Sequence, residues 1–176
     1  MKTINILFLA VAISLTQTAS SQNLATTIKV QAMEMGTALV RNDFNTFVKF
    51  MHPDIITYAG GKEAMKLKMD SAFLASKRFK VSVEKYWIGS PGEIIKYKNT
   101  LQALLPQSTT LKTPLGEMIV ETTMIVISPD NGKNWWFIDT NVYSLERMKN
   151  VLPDLSPKLV VPPIKKPVLK RKGGSN

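Results

Sequence analysis

The chain has 176 residues, a prior for one domain, and its 23 Lys and Arg against 13 Asp and Glu give a formal charge of +10. Hydrophobic residues make up 44% and charged residues 20%, the balance of an ordinary globular protein, which argues against wholesale disorder. The absence of cysteine excludes disulfides, thiolate metal sites, iron–sulfur clusters and cysteine nucleophiles, and a single histidine argues against a histidine-rich zinc site.

Lys2 followed by the apolar run Ile4 to Leu15, with Ala19 and Ser21 at minus three and minus one, has the pattern of a secretory signal peptide. The run is shorter than the roughly 20 apolar residues that span a bilayer. Cleavage near Ser21 is expected, with Gln22 at the mature N-terminus and an exported, periplasmic or extracellular product.

Leu24, Ile28, Ala32, Met35 and Leu39 recur at helical spacing and predict a first helix. Asp43 stands at an N-cap position, and Phe44, Phe47, Val48 and Met51 predict a second, shorter helix ending before Pro53. Ile55 to Tyr58 reads as a short strand, Gly60-Gly61 as a turn, and Lys62 to Lys77 as a third helix with Met65, Met69, Ala72 and Phe73 on its apolar side.

Beyond Phe79 the period changes to alternation. Val81 to Ile88 predicts a strand, with Ser90-Pro91-Gly92 as its turn. Ile95, Tyr97, Leu101, Ala103 and Leu105 oppose Lys96, Lys98, Thr100 and Gln102, which predicts one long strand with a wet face. Gly116 to Ser128 alternates again, Pro129-Asp130-Asn131-Gly132 is a strong turn signal, Trp135 to Thr140 closes the sheet, and Ser144 to Asn150 is a last helical turn.

From Leu152 to Asn176 there are five prolines and six basic residues against one acid, so this stretch carries +5 while Gln22 to Val151 carries +4. The expected organisation is a leader over 1–21, an α+β domain over 22–151 and a Pro/Lys-rich tail over 152–176. The tail reads as extended and fraying, with Leu155, Leu159, Val160, Val161 and Ile164 able to lie along the domain.

Helices first and antiparallel strands after them predict an α+β fold in which the helices pack on a curved sheet. The helix order, Asp43-Phe44, His52-Pro53-Asp54, Gly60-Gly61 and the closing Asn134-Trp135-Trp136-Phe137-Ile138-Asp139-Thr140 resemble the nuclear transport factor 2-like, cystatin-type cone. More narrowly, the Gln102 to Gln107 and Phe137 to Thr140 stretches are similar to exported members of that superfamily from the Bacteroidota. The resemblance covers about Gln22 to Val160. It implies a cone-shaped domain whose relatives include isomerases, dehydratases, transport adaptors and plain binding modules, so fold alone does not choose a function.

Enzymes of that superfamily use an Asp or a His with Tyr or Asp donors inside the cone, and a carbon acid needs such a base beside an oxyanion donor. The candidates here are Asp139, which shares strand parity with Trp135 and Phe137, and His52, more naturally a capping or packing residue near the C-terminus of the second helix. Candidate ligand contacts are Tyr58, Trp87, Tyr97 and Trp136. Gln102 is read as solvated or paired across the sheet with Glu121. The sequence contains no Gly-x-Ser-x-Gly elbow, phosphate loop or dinucleotide fingerprint, and neither cofactor nor metal is expected. The leading expectation is a non-catalytic domain binding a small ligand or an envelope partner; the alternative is an isomerase- or dehydratase-like enzyme with a carboxylate acid/base. Lys165, Lys166, Lys170, Arg171 and Lys172 suit contact with an anionic surface, and the sequence leaves room for a homodimer.

Overall fold

The computed structural model describes residues 4–171, with side chains described from Gln22 onward. The side chains of the expected leader, and Lys172 of the basic cluster, lie outside the described residues. Among the described residues no helix is long and apolar enough to cross a membrane.

The chain forms an α+β fold. Helices α1 (Ile4–Val40), α2 (Phe44–Phe47), α3 (Pro53–Tyr58) and α4 (Gly61–Arg78) precede strands β1 (Ser82–Ile88), β2 (Ile95–Tyr97), β3 (Thr100–Thr113), β4 (Gly116–Ser128) and β5 (Trp136–Asp139). Helix α5 (Leu145–Val151) and strand β6 (Val168–Arg171) complete it. All pairings are antiparallel; the open sheet runs β1-β3-β4-β5, with β2 added to β3 and β6 added to β4.

Alternation along β4 and β5 divides the core in two. Met124, Val126 and Phe137 join Ile28, Ala32 and Met35 of α1, together with Trp135 and Phe50, on one face. Ile125, Ile127 and Ile138 join Ile55 of α3, Met65 and Met69 of α4 and Met148 of α5 on the other. Helices therefore cover both faces of the central strands, where the sequence pattern predicts one wet face. Leu39 is exposed and Ala38 takes the buried place on α1; on α4, Met65 and Met69 are buried whereas Ala72 is exposed.

Two segments differ from the sequence reading for local reasons. Ile55 to Tyr58 is helical, not a strand. Pro53 occupies the first turn, where its missing N–H costs nothing, and His52 Nδ1 accepts the Asp54 N–H at 3.1 Å as an N-cap. This end effect, with Ile55 fully buried, overrides the strand preference of Ile55, Ile56 and Thr57. The expected long strand over 95–105 is instead a hairpin: Lys98 adopts φ 49°, the chain reverses, and Ile95 pairs with Gln102. Pro106 is tolerated in a central strand because it falls between the β2 partners (Thr100–Gln102) and the β1 partners (from Gln107), while its carbonyl still accepts the Gly89 N–H at 2.9 Å.

The C-terminal segment is part of the fold. Leu152, Leu155 and Leu159 are buried in the α3–α5 core, so packing continues past residue 151. Gln102, 1% exposed, is neither solvated nor paired with Glu121. Its Nε2 donates to the Asp154 carbonyl at 2.7 Å and its Oε1 accepts the Ser156 N–H at 2.8 Å. The expected fraying strand is then held by β6, which pairs Lys170 with Glu117 and Leu169 with Met118. Lys165 Nζ meets Glu121 Oε2 at 2.5 Å.

Candidate functional site

Two of the candidate residues, Asp139 and Trp87, fall in two different places on the sheet, and the others in neither. The first is a polar cluster at the end of the α1 face. Tyr86 and Gln107 project from β1 and β3, Thr122 lies opposite Gln107 on β4, and Asp139 ends β5 opposite Met124. Tyr86 Oη donates to Gln107 Oε1 at 2.6 Å; Gln107 Nε2 donates to Thr122 Oγ1 at 2.6 Å and to Asp139 Oδ2 at 2.8 Å. Thr122 Oγ1 is a further donor to Oδ2 at 3.3 Å, and the Asn141 N–H donates to Oδ1 at 2.8 Å.

Burial pushes the Asp139 carboxyl above the usual carboxylate range, against the pull of these hydrogen bonds. Burial, and then the nearby Asp139 charge, raise the Tyr86 phenol well above its ordinary value. The Tyr86 ring also fixes the helix above it: a Cβ on Gly36 of α1 would stand 2.1 Å from Tyr86 Cε1, so only glycine admits the ring. Both Asp139 oxygens are engaged, and Phe137, Met124 and Met35 fill the face beneath. The cluster is a satisfied network in a packed face.

The second place is a groove of about 340 Å³ on the opposite face of the sheet, past the edge of the α3–α5 core. This is within the ~300–1,000 Å³ typical of small-molecule sites. Its floor is a cross-strand row, Trp87 opposite Ser108 and Ser108 opposite Glu121, with Pro106 opposite Thr123 in the next row. Thr140 and Asn141 flank β4, and residues 162–165 of the C-terminal segment form the remaining wall. Trp87 is 58% exposed but not free: a Cβ at Gly89 would lie 2.9 Å from Trp87 Cη2 and 2.8 Å from Pro106 Cγ, so the ring rests on the Gly89 backbone beside Pro106.

Of the expected ligand contacts, only Trp87 lines this groove. Tyr58 is exposed and meets Tyr143 edge-on with centroids 6.4 Å apart. Tyr97 is half-buried in the β2–β3 hairpin, where its carbonyl accepts the Thr100 hydroxyl. Trp136 belongs to the α3–α5 core, with its ring 4.4 Å from that of His52. His52 is far from acid/base work of the expected kind: its Nδ1 is occupied as a helix cap, and burial lowers its pKa, outweighing the raising effect of Asp54. Asp139 does not line the groove, although Gln107 and Thr122 border both places. Sequence reasoning missed Ser108, Glu121, Thr123 and the 162–165 wall as site residues. The strand register gives the first three, whereas the wall depends on the fold-back of the C-terminus.

Fold and groove together define an α+β domain with an open antiparallel sheet and a surface groove walled on one side by its own C-terminal segment. No protein-family model, curated protein or solved structure matches the chain.

Proposed function

We propose that this protein is an exported, non-catalytic binding domain of the nuclear transport factor 2-like type, and that it takes its ligand in the Trp87 groove. The observation that carries this reading is Trp87, a large aromatic ring more than half exposed in the groove, with one edge against Gly89 beside Pro106. A single exposed apolar side chain is ordinary on a protein surface, but an aromatic ring standing in a groove beside hydroxyl and amide groups offers a stacking platform. The helix-first order and the long β3–β4 hairpin support the superfamily assignment, and the Ile4 to Leu15 run supports export. In this reading Lys166, Lys170 and Arg171 are the cations available to an anionic envelope surface, Lys165 being engaged by Glu121.

Native mass spectrometry of the protein purified from its own host tests the binding role. A bound mass that disappears in Trp87→Ala supports it; a protein free of ligand, with no chemical-shift response at Trp87, Ser108 or Thr123 to any small-molecule probe set, overturns it.

The enzyme reading has one observation in its favour, the raised carboxyl of Asp139 beside the Tyr86 phenol. Its weakness is geometric, because the Asp139 oxygens are spent on Gln107, Thr122 and Asn141.

A further inference from the structure

The lining of the groove carries more than the fact of binding. Three classes of ligand are poorly served by it. A lipid chain calls for an apolar lining throughout, whereas here Pro106, Pro162, Pro163 and Ile164 are interleaved with Ser108, Glu121, Thr123, Thr140 and Asn141 around Trp87. A phosphate calls for uncommitted cations, and the lining's single ammonium, Lys165, already holds Glu121. An extended peptide gains its affinity by adding to a strand edge. β1 is a free edge of the sheet, but the floor of this groove is the face formed by β1, β3 and β4, not that edge.

What remains is an aromatic face bordered by short hydroxyl and amide groups, with the Glu121–Lys165 pair and a proline-rich wall beyond them. The hydrogen bonds of this neighbourhood run through Gln107, Thr122 and Thr140. Among the described residues, the Ser108 and Thr123 hydroxyls and the Asn141 side-chain amide are left unengaged. Ser108 lies directly beside Trp87, and Glu121 lies one strand further on, about 10 Å from Trp87 at two strand spacings. A sugar ring has the complementary pattern. Its axial C–H groups form an apolar face that stacks on indole, and its rim of hydroxyls both donates and accepts.

We propose that the groove binds a neutral oligosaccharide, with one pyranose ring stacked on Trp87 and its hydroxyls bonded to Ser108, Thr123 and Asn141. The inference rests on the binding role proposed above and names its ligand class. The Glu121–Lys165 pair closes the far end of the groove, and Pro162, Pro163 and Ile164 give a stiff wall that loses little freedom on binding.

The test is titration of isotope-labelled residues 22–176 with cellohexaose, maltohexaose and chitohexaose at millimolar concentration, followed by amide and indole chemical shifts. The expected result is saturable shifts at Trp87, Ser108 and Thr123 with at least one of the three sugars. Trp87→Ala should weaken that affinity about tenfold or more, and Ser108→Ala by a smaller factor, while Asp139→Asn should leave it unchanged. Ser108→Ala also serves where Trp87→Ala fails to fold. Absence of shifts with all three sugars, or shifts insensitive to both groove variants, overturns the proposal. Laurate and a proline-rich peptide are run alongside. If either replaces the sugars at the same residues with the same dependence on Trp87, the carbohydrate assignment falls and the binding role stands; if every probe leaves the groove silent, both fall.

Discussion

Gln102 grips Ser156 across 54 positions of sequence: its buried Oε1 accepts the Ser156 N–H at 2.8 Å, while its Nε2 reaches the neighbouring Asp154 carbonyl. One side chain in the third position of β3 thus ties the C-terminal segment to the sheet. It holds Leu155 and Leu159 in the core and sets the path from which residues 162–165 cross the groove.

Replacing Gln102 by Leu keeps the volume and removes these bonds. A buried polar group left without a partner costs about 1–3 kcal/mol, so a loss of about 3 kcal/mol in urea unfolding is expected. Truncation after Val151 should prevent stable folding, because it also removes Leu152, Leu155 and Leu159. Truncation after Ile164 should cost less than about 1 kcal/mol, since all four residues of β6 are exposed and ion pairs such as Lys165–Glu121 contribute little. Equal melting temperatures for the two truncations would contradict this account.

The two tryptophans at the ends of the exposure range should respond oppositely. Trp135 is 1% exposed and Trp87 58%. Trp135→Ala should lower stability by about 3–5 kcal/mol, and Trp87→Ala should leave it within about 1 kcal/mol. Chemical denaturation of both variants decides whether Trp87 serves binding or packing.

Asp139 should give the protein an acid-side signature of unusual sign. Its folded pKa is raised, so between the unfolded value near 3.9 and the folded one the native state binds more protons than the unfolded state. Stability contributed by Asp139 is therefore present below that window and lost as pH rises through it. The wild-type minus Asp139→Asn stability difference should fall with rising pH across that window. A flat difference would show that the carboxyl is not perturbed.

His52 should act in the other direction. Its cap requires an unprotonated Nδ1, and its folded pKa is lowered by burial. From about pH 6.5 downward the unfolded state takes up the proton first, so stability should decline as pH falls toward the folded pKa. His52→Asn keeps a capping oxygen and should abolish this slope, at the cost of the edge contact with Trp136. Urea midpoints between pH 5 and 7.5 measure it.

Gly36→Ala sets two effects against each other. Alanine gains up to about 1 kcal/mol of helix propensity, but its Cβ would overlap the Tyr86 ring, which is tied to Gln107. The overlap should win, as overpacking costs about 1–3 kcal/mol. A stabilised Gly36→Ala variant would mean the Tyr86 ring can swing out.

Period and punctuation in the sequence determined the fold class, the Gly116–Ser128 strand, the Asp43 cap and the Pro129–Gly132 turn, because each depends on neighbours within a few residues. They also marked Trp87 and Asp139 as candidates. Only the tertiary structure decided that Ile55 to Tyr58 coils, since burial of Ile55 and the His52 cap outweigh three β-branched preferences. It alone decided that residues 95–105 fold into a hairpin and that Gln102 is buried, because alternation cannot tell a wet face from one covered by distant helices. The same holds for the groove: its floor is written in strand register, but its wall comes from a proline-rich segment whose place depends on hydrogen bonds to a residue more than fifty positions away.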